Sequence, residues 1–223
     1  MNVALYGHWI CPYATRVQFA LEQRAIPYEL IDLPPSGVRP PDFELPAEFV
    51  EHSTRREIPM VRVGDRCLAD SIPILEWLET EITAAPLLPT GPAAQQLIRE
   101  RMAWIDEHAF RPMVGVYYGT DPARIERDST ALGTALGKIG RWAEDTGWIA
   151  GPDVSLAEAV VMPLHVRLGG LQQLGFTADV APSFTDHGDR CRALPGWPGV
   201  AWSSEQRDEF VGRFTAFRQK KKH

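Results

Sequence analysis

The stretch YGHWICPYATRVQFAL, Tyr6 to Leu21, decides how the first part of the chain is read. It joins a short apolar run, NVALYG ending at Gly7, to a segment in which Ala14, Val17, Ala20 and Leu21 recur at helical spacing. The helix predicted here stops before Pro27, because the residue preceding a proline avoids the α region. YELIDL then reads as a second strand. Two strands joined by a helix make a βαβ unit, expected to be parallel with a right-handed crossover.

Outward from this unit, the proline-rich loop PPSGVRPP leads to a short helix near PAEFVEHS. PMVRV and RCLA flank Gly64-Asp65, the pattern of an antiparallel hairpin. SIPILEWLE follows as a helix, with Ser71 as its N-cap and Pro73 tolerated in the first turn. The order β-α-β-α-β-β-α defines an α/β domain at residues 1–80. TAAPLLPTGP breaks the pattern and places a linker at 81–91. Residues 92–223 read as all-α, with helices near 92–118, 122–146, 155–170, 183–193 and 204–218. Pro112 is expected to kink or break the first of these.

The chain has 223 residues, a formal net charge of −6 and scattered basic side chains. That excludes the basic stripe of a nucleic-acid binder. The one lysine cluster, Lys220–Lys222, reads as a solvated end. No run approaches the ~20 apolar residues of a membrane span, and the N-terminus lacks the features of a signal peptide. Cys11, Cys67 and Cys191 are widely spaced and make neither a disulfide framework nor a zinc site. His52, His165, His187 and His223 show no ligand spacing. The expectation is a cytoplasmic protein with reduced thiols, no metal, and neither nucleic acid nor membrane as a partner.

Three motifs in the first domain carry chemistry. Cys11 follows a strand and opens a helix, with Pro12 suited to the first helical position. A thiol there meets free backbone N–H groups and the positive end of the helix dipole, which favour the nucleophilic thiolate. Arg16, one turn on, could add positive charge. Taken alone, Cys11 fits a small buried residue as well. Ala14 stands where a two-thiol redox motif has its second cysteine, so an external small thiol would have to release a mixed disulfide formed at Cys11.

The second motif is REIPMV. Pro59 suits either a cis bond or a trans proline at the first residue of a strand. A cis Ile58–Pro59 bond would present the Ile58 backbone to an extended peptide. The third motif is LADSIPILEWL. Asp70 could accept from an ammonium group, and Ser71 with nearby N–H groups could hold a carboxylate, which suits an amino-acid head group. Alone, this motif also fits a plain helix cap.

In this order and spacing the three motifs closely resemble the N-terminal, thioredoxin-like domain of the glutathione transferase superfamily. CPYATRVQFAL is most similar to the cysteine-bearing classes, the omega-like and dehydroascorbate-reductase-like groups. GWIAGPDVSLAEA resembles the helical-domain signature, a capping box formed by Ser155 and Glu158, where the family usually has Asp. The resemblance implies the glutathione transferase architecture, a thioredoxin-like domain followed by an all-α domain. It implies Cys11 as the nucleophile contacting the glutathione sulfur. Ile58, beside Pro59, would pair through its backbone with the cysteinyl part, and Asp70 and Ser71 would hold the γ-glutamyl end. Many relatives carry an Asn/Ser-Pro-x-Gly turn before the proline. This chain has Ser53-Thr54-Arg55-Arg56, and Arg56 is a candidate grip for the glycyl carboxylate.

By the same resemblance glutathione is a co-substrate, and its partner a small electrophilic, disulfide or oxidised molecule. A second-substrate pocket is expected between the domains, with His8, Trp9, Tyr13, Trp104, His108, Tyr117 and Tyr118 as candidates. His8 is either a proton shuttle near Cys11 or a surface histidine. The expected activity is glutathione-dependent thiol transfer or reduction, through a mixed disulfide at Cys11 resolved by a second glutathione. One alternative is conjugation, dehalogenation or isomerisation with glutathione as nucleophile. The other is a non-enzymatic regulatory or binding role on the same fold. A homodimer is also implied.

Overall fold

β-Branched and aliphatic runs build four strands in the first part of the chain: β1 (Val3–Gly7), β2 (Glu29–Asp32), β3 (Met60–Val63) and β4 (Arg66–Ala69). The computed structural model describes residues 2–221, so Lys222 of the lysine cluster and His223 lie outside the described residues. The sheet order is β2-β1-β3-β4. β1 runs parallel to β2, with Leu5 opposite Leu30, and antiparallel to β3, with Tyr6 opposite Met60. β3 and β4 form the expected hairpin, and Gly64 takes its turn at φ +60°, a conformation open to a residue without Cβ. Helices α1 (Pro12–Gln23), α2 (Ala47–His52) and α3 (Ser71–Glu81) complete the expected β-α-β-α-β-β-α order.

β1 is buried along its whole length because both faces of the sheet are covered. Alternate residues serve opposite cores, as a period of two requires. Val3 and Leu5 pack with Val17, Leu21, Val61, Ile74 and Leu78. Ala4 and Tyr6 pack with Leu33, Phe49, Ile58 and Met60. Each fully buried Leu or Ile contributes about 1.5–3 kcal/mol relative to exposure.

The chain divides into two units, one of Met1–Leu88 with Leu194–Val200, the other of Pro89–Ala193 with Ala201–His223. Leu194–Val200 lies in the stretch read from sequence as helical domain, yet it groups with the first unit. The Gln18 side-chain amide donates to Gly199 O at 2.9 Å, and the Gly196 N–H donates to Gln23 Oε1 at 3.0 Å. A Cβ on Gly196 would lie 2.8 Å from the Gln23 nitrogen, so this close approach needs glycine.

The second unit is helical: α4 (Pro92–Ile105), α5 (Arg111–Tyr118), α6 (Pro122–Glu144), α7 (Leu156–Gln173), α8 (Pro182–Arg192) and α9 (Ser204–Lys220). A π-turn at Asp106–Phe110 joins α4 to α5 without a break. Pro112 accounts for it: the proline has no N–H to donate and its ring crowds the carbonyl four residues back, so the ladder widens. α7 opens on the expected capping box. Ser155 Oγ accepts from the Ala157 N–H at 3.2 Å, and Glu158 Oε2 accepts from the Ser155 N–H at 2.8 Å. No helix among the described residues is long and apolar enough to cross a membrane.

Candidate active site

β1 ends at Gly7, and a tight turn closed by the Cys11 N–H on His8 O at 3.0 Å delivers Cys11 to the N-cap of α1, with Pro12 in the first turn. The Cys11 side chain is not used as a cap. Its carbonyl accepts from the Thr15 N–H at 3.1 Å and from Thr15 Oγ1 at 3.0 Å. Cys11 is 4% exposed, and its Sγ donates to Ile58 O at 3.7 Å. The Ile58–Pro59 bond is cis. The Asp70 N–H donates to Pro59 O at 3.3 Å, so the start of α3 joins the same group.

Ser71 is not the N-cap expected from the sequence. Asp70 takes that place at φ +74°, with its carbonyl accepting from the Ile74 N–H at 3.0 Å. Ser71 becomes the first helical residue, and its Oγ accepts from Arg16 Nη1 at 3.2 Å. Arg16 is 1% exposed and lies over the Tyr13 ring, 4.9 Å from its centroid. The guanidinium that the sequence placed one turn from Cys11 therefore reaches Ser71. Nothing in the spacing of residues 55 apart announces that contact. The Asp70 carboxylate is ion-paired with Arg55, and both side chains are more than half exposed. Arg56 sits at φ +52°, its carbonyl accepting from Arg39 Nη2 at 3.1 Å.

The structure thus gathers Cys11, Ile58, Pro59, Asp70 and Ser71 through direct contacts, and adds Arg16 on Ser71 and Arg55 on Asp70. A helix N-terminus can hold an anionic sulfur, and a backbone segment such as Ile58, whose carbonyl here accepts from Cys11 Sγ, can pair with an extended peptide. On the sheet behind, Tyr6 donates its hydroxyl to Glu48, which also pairs with Arg62 at 3.3 Å. Burial, then this hydrogen bond, pushes the Tyr6 phenol up to about 12.

The aromatic candidates divide between the units. In the first, His8 Nδ1 accepts from the Ile10 N–H at 3.1 Å, which puts its proton on Nε2, 4.0 Å from Asp32 Oδ1. Its ring lies 5.4 Å from that of Trp9, and Tyr13 is exposed at 36%. In the second, His108 stacks on Trp104 at 4.5 Å, and its Nδ1 lies 3.0 Å from Trp104 O. Lys138 Nζ sits over the same indole at 4.3 Å. Tyr117 is buried against Phe210 and Phe214.

One group was missed. The reading that His165 and His187 show no ligand spacing is corrected by the fold, which brings both to Cys191 in the interior of the helical unit. The available signal was His187 and Cys191 four residues apart, one face of a helix. His165 arrives from α7, and its place could not be read from spacing.

Residues 10–81 match the family model described as Glutathione S-transferase, N-terminal domain. The chain is 30% identical over 128 residues to Glutathione S-transferase U2 of Arabidopsis thaliana. That match covers 55% of this chain and 53% of the plant protein, so the chain spans about half the length of the curated relatives it matches. Glutathione transferase Omega 3C from Trametes versicolor superposes with a TM-score of 0.82 at 15% identity, covering 99% of this chain and 93% of that one. Rice GST1 (OsGSTU1), in complex with glutathione, superposes with a TM-score of 0.83 at 16% identity, covering 97% and 99%. At these identities the structural likeness is one of fold.

Proposed function

We propose that the chain is a member of the glutathione transferase superfamily and a glutathione-dependent thiol transferase or reductase with Cys11 as nucleophile; the match of residues 10–81 to the glutathione S-transferase N-terminal domain supports the family. The observation that supports this most is the position of Cys11: the N-cap of α1, with its Sγ 3.7 Å from Ile58 O beside the cis Ile58–Pro59 bond. The helix N-terminus stabilises the thiolate, and the Ile58 backbone aligns the cysteinyl part of glutathione beside it. Asp70 takes the γ-glutamyl ammonium, displacing Arg55. Ser71, held by Arg16, takes the carboxylate, and Arg56 stands for the glycyl end.

The reaction runs in two exchanges. Cys11 thiolate attacks the glutathione sulfur of a glutathionylated substrate, forming a Cys11–glutathione disulfide and releasing the substrate thiolate, which takes a proton from water. A second glutathione thiolate then attacks the glutathione sulfur of that disulfide. Oxidised glutathione leaves and Cys11 thiolate is restored. Ala14 makes the second glutathione necessary, since no thiol stands there to resolve the intermediate.

The burial of Cys11 supports a second reading, because a thiol only 4% exposed is a hindered nucleophile. There, glutathione itself attacks an electrophilic carbon and Cys11 only holds its sulfur. Paired assays separate the two. The leading reading expects Cys11→Ser and Cys11→Ala to abolish disulfide exchange. Full exchange activity in either variant overturns it, and aryl-halide conjugation that persists in Cys11→Ala favours the second.

A further inference from the structure

We propose that His165, His187 and Cys191 form a buried site for a soft d10 cation, Zn(II) or Cu(I), inside the helical unit. His165 comes from α7, His187 and Cys191 from α8, and all three are buried. Their donor atoms lie within 4.8 Å of one another. His165 Nε2 is 2.9 Å from His187 Nδ1, and Cys191 Sγ lies beside the His187 ring, 3.8 Å from that Nδ1 and 3.7 Å from Nε2. An ion ~2.0–2.1 Å from each nitrogen and ~2.3 Å from sulfur spans both edges, meeting the two nitrogens at roughly a right angle. Because the two nitrogens face each other in this hydrogen bond, the rings must both part and turn to aim their lone pairs at the ion and open that angle to a trigonal or tetrahedral value. Two imidazoles and one thiolate select Zn(II) or Cu(I) over oxygen-seeking cations.

The surroundings orient the rings as ligands. Glu158 Oε1 lies 3.7 Å from His187 Nε2, on the ring edge away from His165, the outer-shell carboxylate that fixes a ligating histidine. Glu158 is itself pinned by the N–H groups of Ile149 and Ser155 and by Ser155 Oγ. His165 stacks on Phe184 at 4.2 Å, and a Cβ on Gly188 would lie 2.8 Å from His165 Nδ1, so that glycine makes room for the ring. Burial, with His187 beside it, holds His165 well below the ordinary imidazole range and so in the neutral, ligating form. Burial and Glu158 push the Cys191 thiol up, so a thiolate there needs a cation next to it.

On binding, Cys191 gives up its thiol proton to solvent. The proton between the two rings moves to a nitrogen facing away from the ion, which for His187 is the Nε2 beside Glu158. Because the cluster is closed, the ion enters as the helices assemble, and uptake is coupled to folding.

The test is to unfold the full chain and refold it with Zn(II), or with Cu(I) under a non-thiol reductant, then desalt and measure metal by mass spectrometry. About one ion per chain is expected for the wild type in at least one arm, with a higher melting temperature. The Cys11→Ser/Cys67→Ser double variant should keep that ion, and Cys191→Ser should lose it. A refolded wild type with no bound metal in either arm overturns the proposal, whether or not Cys191→Ser folds. Equal uptake by a folded Cys191→Ser, or loss in the double variant, overturns it too.

Discussion

Tyr6, one residue before the end of β1, gives a clean pH signature. Its phenol rises from 10.0 to about 12, chiefly through burial and then through its hydrogen bond to Glu48. The folded state therefore holds this proton more tightly than the unfolded state. The stabilisation is fully present below pH 10 and is lost as pH climbs from 10 toward 12. Tyr6→Phe should flatten that alkaline loss, as seen in urea unfolding at about pH 9 and about pH 11, by at most about 1.4 kcal/mol, the worth of the one pH unit by which pH 11 exceeds the unfolded value. Asp70 and Arg55 give a second test. Asp70→Asn should raise KM for glutathione with little change in kcat. Arg55→Ala, by freeing Asp70, should lower KM by about 1.4- to 5-fold, the worth of an exposed ion pair. A higher KM in Arg55→Ala would mean that the arginine holds the ligand rather than competing with it. At this scale Cys11, Asp70 and the Ile58–Pro59 pair were legible as motifs. Arg16 was legible only as a charge, because its destination depends on where α3 folds against α1.

Among the elements, the strands, the hairpin and α1 followed from period and punctuation, since each is set by residues a few positions apart. The π-turn was legible as a disturbance at Pro112, but not as a widened turn, because a proline can also break a helix outright. The linker start is held by a pair that no local pattern reveals. Arg24 Nη1 meets Glu79 Oε1 at 2.9 Å with both side chains buried, and Glu79 Oε2 accepts from the Leu87 and Leu88 N–H groups at 3.0 and 3.1 Å. Burial pushes the Glu79 carboxyl up and the Arg24 guanidinium down, so desolvation outweighs the attraction on both sides. Removing one partner should therefore cost far more than removing both charges. Arg24→Met is expected to destabilise by about 3–5 kcal/mol, and Arg24→Met/Glu79→Gln by clearly less, in denaturant titrations followed by circular dichroism. Equal losses would mean that the pair is a net stabiliser.

For the molecule as a whole, an α/β unit followed by helices was readable because turn chemistry and periodicity agree along most of the chain. Two features were not. Leu194–Val200 groups with the first unit through contacts to Gln18 and Gln23, more than 170 positions away in sequence. The histidine–cysteine cluster needs α7 and α8 side by side before it exists. The proposed chemistry rests on another long-range meeting, Cys11 with the Ile58 carbonyl across 47 positions. Intact-protein and peptide mass spectrometry after exposure to oxidised glutathione tests it most directly. The reduced chain should gain about one glutathionyl group, on the peptide holding Cys11, removed by reduced glutathione and absent in Cys11→Ser. An unmodified Cys11, or an adduct confined to the half-buried Cys67, would contradict it.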